Sequence, residues 1–325
     1  MKAITYTTFG TPVDVLSVTD TATPEPAAGA VRVRMTASPI HNHDLWTIRG
    51  SYGYKPELPA TAGSEAAGVV EAVGAGVDDT LIGQRVAVAG VAGAWAEQFV
   101  APAVGLVPLP DAVSDDVGSQ LLAMPLSALA LLEQLPLQAG DWLVQTAANG
   151  TVGKLMIGMA RERGIKVLNL VRRVEAKTEL EAFGVDAVLS TEEDDWKTQA
   201  EAIVGEAGAR AAIDSVGGPI VADVADLLGR DGELIVFGTA AGVPLALNAG
   251  NMISRHLTVK GFWGARVMAE MSTEDKVRLI GELVQLAVAG KLHLPSGGDF
   301  RLDQYQAAID ASLTAGRSGK ILFKP

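Results

Sequence analysis

A glycine-containing turn between a strand and a helix constrains this chain more than any other feature. The apolar run Leu143 to Ala147 is typical of a buried strand, and Val152 to Arg163 has helical spacing. Between them lies Ala148-Asn149-Gly150-Thr151-Val152-Gly153, which matches the dinucleotide-binding fingerprint with alanine in the first glycine position. In this pattern Gly150 allows the backbone to approach a pyrophosphate, and Gly153 allows the helix to pack against the strand. The N–H groups at the helix start then favour phosphate binding.

The segments around this turn alternate between strand and helix patterns. Such repeated units predict a parallel, doubly wound sheet with right-handed crossovers. The predicted strands after the first are Lys166–Val171, Ala187–Ser190, Ala211–Asp214, Glu233–Phe237 and Leu257–Lys260. The predicted helices between them are Lys177–Phe183, Asp195–Glu206 and Ile220–Leu228.

The two ends of the chain have a different pattern. Short apolar runs separated by turn residues, such as the alternating Val31–Met35, are typical of antiparallel β structure. The C-terminus returns to a short strand, Lys320 to Phe323. We therefore expect a dinucleotide-binding domain over 115–261, inserted into a β-rich domain built from 1–114 and 262–325.

Two adjacent arginines indicate which nicotinamide cofactor is used. An acidic residue at the end of the second strand binds the ribose 2′-hydroxyl of NAD, whereas arginine there accepts a 2′-phosphate. Here the strand ends in Arg172-Arg173, which favours NADPH. The alternatives are a solvated cationic turn, and NAD bound with the help of Glu175. Gly238, which follows the predicted strand Glu233–Phe237, is a further candidate contact of the cofactor.

The chain has no cysteine and a formal net charge of −12. The first fact excludes disulfides, thiolate nucleophiles and cysteine-based zinc sites. The second disfavours nucleic acid and anionic membranes as partners, because phosphate binding depends on clustered Lys and Arg. No apolar run reaches the roughly 20 residues that span a bilayer. The N-terminus lacks the apolar region of a secretory signal. These features predict a cytoplasmic protein.

Several motifs resemble the medium-chain dehydrogenase/reductase superfamily. Gly63-Ser64-Glu65 is similar to its Gly-His-Glu motif with serine replacing histidine, and 214–218 is similar to its Val-Gly-Gly turn. The stretches 49–59 and 260–263 look most like the zinc-independent trans-2-enoyl thioester reductases, relatives of the quinone reductases. The resemblance implies a Rossmann domain inserted into a GroES-like catalytic domain. It also implies that Tyr52 is catalytic and that Trp263 lines the active site. The chain departs from these relatives at Val267, where they often carry a second tryptophan.

The segment His41-Asn42-His43-Asp44 raises the question of a metal. Zinc-dependent relatives use two cysteines and the motif histidine, and His41 falls at the place of the first cysteine. His41 and His43 would share one face of a strand and could bind a metal, with Glu65 as a candidate third ligand. Because the other family ligands are missing, we expect no metal here. A role for His41, His43 and Asp44 as pocket-lining groups or as a proton relay is favoured.

Together these features predict a zinc-independent, NADPH-dependent oxidoreductase that reduces an activated C=C bond of an enoyl thioester or enone. The alternatives are an NADPH:quinone reductase and an NADPH-binding protein without turnover. Since the strand Leu257–Lys260 ends the predicted sheet, an unpaired edge favours a homodimer.

Overall fold

The computed structural model describes residues 1–314 and 316–325. It divides into two compact units, one formed by Met1–Leu126 with Ile280–Pro325 and the other by Ser127–Leu279. The second unit is therefore inserted into the first along the sequence. The sequence placed the domain boundaries earlier, after residues 114 and 261, and those boundaries stay a prediction.

The strands differ in length from two to ten residues. In chain order they are β1 (Lys2–Tyr6), β2 (Ser17–Asp20), β3 (Ala30–Pro39), β4 (Ala60–Thr61), β5 (Glu65–Val73), β6 (Arg85–Ala89), β7 (Gln98–Pro102), β8 (Val107–Pro108), β9 (Trp142–Gln145), β10 (Lys166–Val171), β11 (Ala187–Ser190), β12 (Ala209–Asp214), β13 (Leu228–Val236), β14 (Thr258–Gly261), β15 (Ser296–Arg301) and β16 (Lys320–Lys324).

The α-helices follow the strands of the second unit and are sparser in the first. In chain order they are α1 (Pro12–Val15), α2 (Asn42–Arg49), α3 (Asp115–Gly118), α4 (Ala123–Gln134), α5 (Thr151–Glu162), α6 (Glu175–Glu181), α7 (Trp196–Val204), α8 (Ile220–Asp226), α9 (Ala249–Arg255), α10 (Gly264–Glu270), α11 (Thr273–Val288) and α12 (Tyr305–Leu313). Within residues 1–314 and 316–325, no helix is long and apolar enough to cross a membrane.

The second unit contains a six-stranded sheet in the order β11-β10-β9-β12-β13-β14. Every neighbouring pair in it is parallel. The chain order reverses between β9 and β12, because β10 and β11 lie on one side of β9 and the later strands on the other. In open α/β sheets, ligands bind outside the carboxyl ends of the strands at such a switch point. The predicted doubly wound parallel sheet is confirmed.

The first unit is built from two sheets. One has the order β2-β1-β4, and the other has the order β15-β16-β3-β5-β6-β8 with β7 also paired to β3. The alternation predicted for 31–35 is confirmed, since Val31, Val33 and Met35 are buried on one face of β3. Trp95 and Phe323 pack edge to face in the same core, with ring centroids 5.0 Å apart.

The boundary between α8 and β13 differs from the sequence prediction. Helical spacing predicted a helix up to Leu228, but the helix ends at Asp226 and β13 begins at Leu228. The guanidinium of Arg255 donates to the carbonyl oxygens of Asp226 and Leu228 at 2.6 and 2.8 Å. A Cβ on Gly229 would lie 2.0 Å from the oxygen of Ala207. These contacts with residues more than 20 positions away along the chain accompany the earlier start of β13 at Leu228. No local sequence pattern encodes them.

Candidate active site

The predicted fingerprint turn lies at the carboxyl end of β9 and leads into α5. Gly150 is the N-cap of α5, and among the described residues no side chain caps this helix. The first-turn N–H groups are therefore open to a phosphate. A Cβ on Gly153 would lie 2.4 Å from the carbonyl oxygen of Ala148, so only glycine allows this close approach. The turn thus has the features that a dinucleotide pyrophosphate requires.

Arg172 and Arg173 follow the last residue of β10, beside β9 in the sheet. Arg172 is exposed and Arg173 is half-buried. The hydroxyl of Ser190 donates to the carbonyl oxygen of Arg172 at 2.7 Å, which fixes the backbone there. Both cations therefore lie at the carboxyl edge of the sheet, on the strand where a 2′-phosphate would be recognised.

Gly238 belongs to the same edge of the sheet, two residues after the end of β13. Its N–H donates to the carbonyl oxygen of Asp214 at 3.2 Å. A Cβ on Gly238 would lie 2.5 Å from the oxygen of Ser215, so the two chain segments meet closely here. The fingerprint turn, the arginine pair and Gly238 therefore all follow carboxyl ends of strands in one parallel sheet.

The prediction that His41 and His43 share a face of a strand is wrong. His41 is the N-cap of α2, and His43 lies in its first turn. The carboxylate of Asp44 accepts a hydrogen bond from the backbone N–H of His41 at 2.9 Å, and Gly50 ends the helix in a left-handed conformation. This cap pairs histidine with aspartate instead of the usual Ser/Thr with Glu/Gln, so the pattern was not recognised as a helix start.

His41 forms a buried pair with Glu65. The Nε2 atom of His41 lies 2.6 Å from Oε2 of Glu65, and both side chains are buried. Oε1 of Glu65 accepts the backbone N–H groups of Leu122 and Ala123 at 2.7 and 2.8 Å. Burial raises the pKa of Glu65 to about 7, although these two hydrogen bonds act in the opposite direction. Burial holds the pKa of His41 well below its usual range, and Lys320 and His43 lower it further.

His43 belongs to a second chain of hydrogen bonds. The hydroxyl of Ser64 donates to Oδ1 of Asp44 at 2.6 Å, and Nε2 of His43 lies 2.8 Å from the same hydroxyl oxygen. Because the single hydroxyl proton goes to Asp44, the oxygen of Ser64 accepts from Nε2–H of His43. Nε2 therefore carries a hydrogen in this arrangement, and Nδ1 is the ring nitrogen left for a further contact. The side chain of His43 is 22% exposed, so solvent protons can reach it.

Tyr52 lies against the histidines in the first unit. Its ring stacks on His43 with centroids 5.9 Å apart, and His43 stacks on His41 at 4.8 Å. The N–H of Tyr52 donates to the carbonyl oxygen of Trp46 at 3.2 Å, which attaches the tyrosine to α2. The structure thus brings together the sequence-predicted residues Tyr52, His41, His43 and Asp44.

Trp263 lies in the second unit as the N-cap residue of α10, and the residue is 47% exposed. Two residues close to the histidine cluster were not singled out by the sequence. Ser64 was noted only as a replacement, and Lys320 only as the start of a strand. Lys320 is buried, and burial together with Arg317 lowers its pKa to about 8. A lysine that opens an otherwise apolar strand was the available signal for it.

Two family models match the chain. The alcohol dehydrogenase GroES-like domain matches residues 27–111, and the zinc-binding dehydrogenase model matches residues 151–280. These ranges fall on the β-rich first unit and on the parallel sheet of the second.

Relatives match the chain over nearly its full length. The mitochondrial enoyl-[acyl-carrier-protein] reductase of Mus musculus is 30% identical over 96% of this chain and 86% of its own. A Bacillus thuringiensis protein of known crystal structure, assigned by name to the NADPH:quinone reductases, is 29% identical with a TM-score of 0.93, covering 100% of this chain and 98% of that one. The Escherichia coli quinone oxidoreductase, solved with NADPH, is 25% identical with a TM-score of 0.89, covering 100% of both chains.

The residues at the histidine cluster do not suit the zinc ion that the second family model names. Nε2 of His41 is engaged by Glu65, and the hydroxyl of Ser64 donates to Asp44 where a ligating histidine would stand. Within the described part of the chain, no group of three His, Cys, Asp or Glu residues is arranged to hold a metal. The donor set therefore serves hydrogen bonding rather than coordination.

Proposed function

Because the chain belongs to the medium-chain dehydrogenase/reductase superfamily, among its enoyl and quinone reductases, we propose that it is an NADPH-dependent reductase of activated C=C bonds. The observation that carries this proposal is the stack of Tyr52 on His43. Reduction of an enoyl thioester or enone needs a donor for the carbonyl oxygen and an acid for the α-carbon. This pair of side chains offers both.

NADPH is the proposed cofactor, and when bound it supplies the hydride. The fingerprint turn 148–153 would hold the pyrophosphate at the start of α5, with Gly238 at the neighbouring strand end. Arg172 and Arg173 would hold the 2′-phosphate through charge-assisted hydrogen bonds. The NADPH complex of the Escherichia coli relative supports this choice.

The proposed division of roles in the first unit is as follows. As hydride adds to the β-carbon, the π electrons move to the carbonyl oxygen, and the Tyr52 hydroxyl donates a hydrogen bond to the enolate that forms. His43 then gives its Nδ1 proton to the α-carbon and regains one from solvent. Ser64 and Asp44 hold His43 in this orientation, while His41 stays neutral behind it. Trp263 is proposed to line the substrate site, as the family resemblance implies.

Catalysis is proposed to need no metal ion, since the hydrogen bonds of His41 and Ser64 occupy the donors that zinc would require. The substrate is a small unsaturated carbonyl compound. A cytoplasmic location stays a proposal, and the mouse relative is named as a mitochondrial enzyme.

A homodimer is proposed through the outer strand of the parallel sheet. Among the described residues, β14 pairs only with β13, so its other edge carries free N–H and C=O groups. Such an edge invites pairing with a second copy. Ile253, on the preceding helix α9, is 74% exposed and would be covered by the same contact. Sedimentation equilibrium tests the dimer, and a monomer at micromolar concentration would contradict it.

Quinone reduction is the second candidate function, because structures similar in fold include a quinone oxidoreductase. NADPH oxidation measured with crotonyl thioesters, simple enones and quinones separates the candidates. We expect the highest kcat/KM with an enoyl thioester or enone. A preference for quinones would favour the second candidate. NADPH binding without turnover on any of these substrates would identify a binding protein instead.

A further inference from the structure

Two polar side chains meet across the switch point of the parallel sheet. Asp214 is the last residue of β12, and Thr146 directly follows β9, the strand paired with it. The hydroxyl of Thr146 donates to Oδ1 of Asp214 at 2.7 Å, and both side chains are buried. We call this pair the Thr146–Asp214 clamp. It spans the point at which the strand order reverses, where ligands of such sheets bind.

The clamp also fixes the turn that follows β12. Oδ1 of Asp214 accepts the N–H of Val216 at 3.3 Å, and Oδ2 accepts the N–H of Gly217 at 2.6 Å. The hydroxyl oxygen of Thr146 accepts the N–H of Ser215 at 2.9 Å. Every N–H from 215 to 217 therefore bonds to one of the two clamp side chains.

This turn needs an external anchor. Gly217 and Gly218 have φ angles of +78° and +72°, so glycine is required, and two adjacent glycines add conformational freedom. The main chain of Asp214 also accepts from the N–H of Phe237 at 2.7 Å, after the end of β13. The clamp thus connects the ends of three neighbouring strands.

The location of the clamp indicates which part of the cofactor it serves. A doubly wound sheet binds a dinucleotide as two halves, one on each side of the switch point. The fingerprint turn and the arginine pair lie on the side of β9 and β10, which is proposed for the pyrophosphate and the adenosine 2′-phosphate. The turn 215–218 belongs to the other half, on the side of β12 and β13.

We propose that the Thr146–Asp214 clamp is a positioning device for the nicotinamide half of the cofactor. Its side chains hold the turn 215–218 at the depth and angle that the nicotinamide nucleotide requires, while the adenosine half binds independently of it. This inference rests on the proposed function, because it takes NADPH as the ligand.

Two ligands separate the halves of the site. NADPH occupies both halves, whereas adenosine 2′,5′-bisphosphate carries the 2′-phosphate and no nicotinamide. Thr146→Val keeps the shape of the side chain and removes its hydroxyl, so Asp214 and the N–H of Ser215 each lose a partner. Loss of these hydrogen bonds should raise the Kd of NADPH about tenfold. The Kd of the bisphosphate should stay within about twofold, since no contact of the adenosine half changes.

Two further variants complete the experiment, with all Kd values measured by isothermal titration calorimetry. Thr146→Ser restores the hydroxyl and should return NADPH binding to the unmodified value. Asn169→Ala removes a buried amide from β10 of the same sheet, where it bonds to the carbonyl oxygens of Val167 and Ala187. It should lower the urea midpoint without changing the ratio of the two Kd values.

The result that overturns the inference is an equal change of both Kd values in Thr146→Val, or no change in either. Failure of the proposed function looks different. In that case the unmodified protein would bind NADPH no better than it binds NADH, or would not bind NADPH at all. The assumption that NADPH is the ligand positioned by the clamp would then be wrong as well.

Discussion

Nε2 of His41 lies 2.6 Å from Oε2 of Glu65, and neither side chain is reached by solvent. The pair stands where the resemblance to zinc-dependent relatives would place a metal ligand and the acidic residue behind it. Here Nε2 of the imidazole is hydrogen-bonded to a carboxyl group. Within the described residues, Nδ1 of His41 has no hydrogen-bond partner, and the imidazole contacts the rest of the cluster by stacking on His43.

This pair gives stability a defined pH dependence. Burial raises the pKa of Glu65 from 4.5 to about 7, so the folded state holds a proton that the unfolded state releases between these values. The stability that the buried, protonated Glu65 contributes to the folded state is fully present below pH 4.5 and is lost as the pH rises through 7. Glu65→Gln mimics the protonated form and avoids this loss. The free energy of unfolding of the variant, relative to that of the unmodified protein, should therefore increase as the pH rises from 5 to 8, by on the order of 3 kcal/mol.

Urea unfolding at several pH values measures this difference. The charged and titratable groups around Glu65 are His41, His43, Asp44 and Lys320, and they are present in both proteins. His41, whose pKa is lowered, acts in the opposite direction below pH 6.5, and comparing the two proteins reduces its effect. The exposed Glu57→Gln is the matched control and should show no such trend. A constant difference for Glu65→Gln across the range would contradict the prediction.

Metal removal should leave activity unchanged. The motif histidine is replaced by Ser64, and His41 is bound to Glu65, so the part of the chain that the structure describes offers no donor set for zinc. NADPH oxidation after overnight dialysis against a chelator should stay within about twofold of the untreated rate. Loss of activity that Zn²⁺ alone restores would instead make His41 and His43 metal ligands.

Arg172 and Arg173 should select the phosphorylated cofactor. Each charge-assisted hydrogen bond contributes about 1.5 to 3 kcal/mol, so replacing both arginines with alanine should raise the KM for NADPH about 100-fold. The KM for NADH should barely change, since it carries no 2′-phosphate. Arg230→Ala removes an exposed cation elsewhere in the second unit and serves as the control. If the double variant keeps its preference for NADPH, the arginines are not the selector.

The sequence was most informative where structure is local. The strand, turn and helix around 143–163 follow from apolar periodicity and from the close approach that Gly153 permits. The helix α2 was missed because its cap uses His41 and Asp44, and because alternation in a segment of four residues does not distinguish a strand from a first turn. Lys320 and Glu65 come together from opposite ends of the chain, and pairings at that separation are set by tertiary packing, which local patterns do not encode.

His43 should matter for proton transfer more than for binding. His43→Phe keeps an aromatic ring against Tyr52 and removes the acid, so kcat with an enoyl thioester should fall about 100-fold. Ser64→Ala leaves the imidazole in place but removes its link to Asp44, and a smaller fall is expected. The pH profile of kcat is the decisive measurement, with His41, Asp44 and Tyr52 as the other titratable groups facing His43. An unchanged profile in His43→Phe would refute the proton-transfer role.

Tyr52 should contribute to chemistry more than to substrate binding. Tyr52→Phe keeps the ring that stacks on His43 and removes only the hydroxyl, so an oxyanion donor is lost without a change in packing. One such donor contributes about 10² to 10³ in rate, or roughly 3–4 kcal/mol. With an enoyl thioester or enone, kcat should fall by that factor while KM changes little, which is the signature of an interaction made only in the transition state. Quinone reduction is the internal control, because hydride addition to a quinone gives a hydroquinone anion, which its aromatic ring stabilises and which depends less on an oxyanion donor than an enolate does. A variant that loses activity on enones but keeps it on quinones supports the role of Tyr52 as an oxyanion donor. An unchanged kcat with both kinds of substrate would mean that Tyr52 only packs against α2.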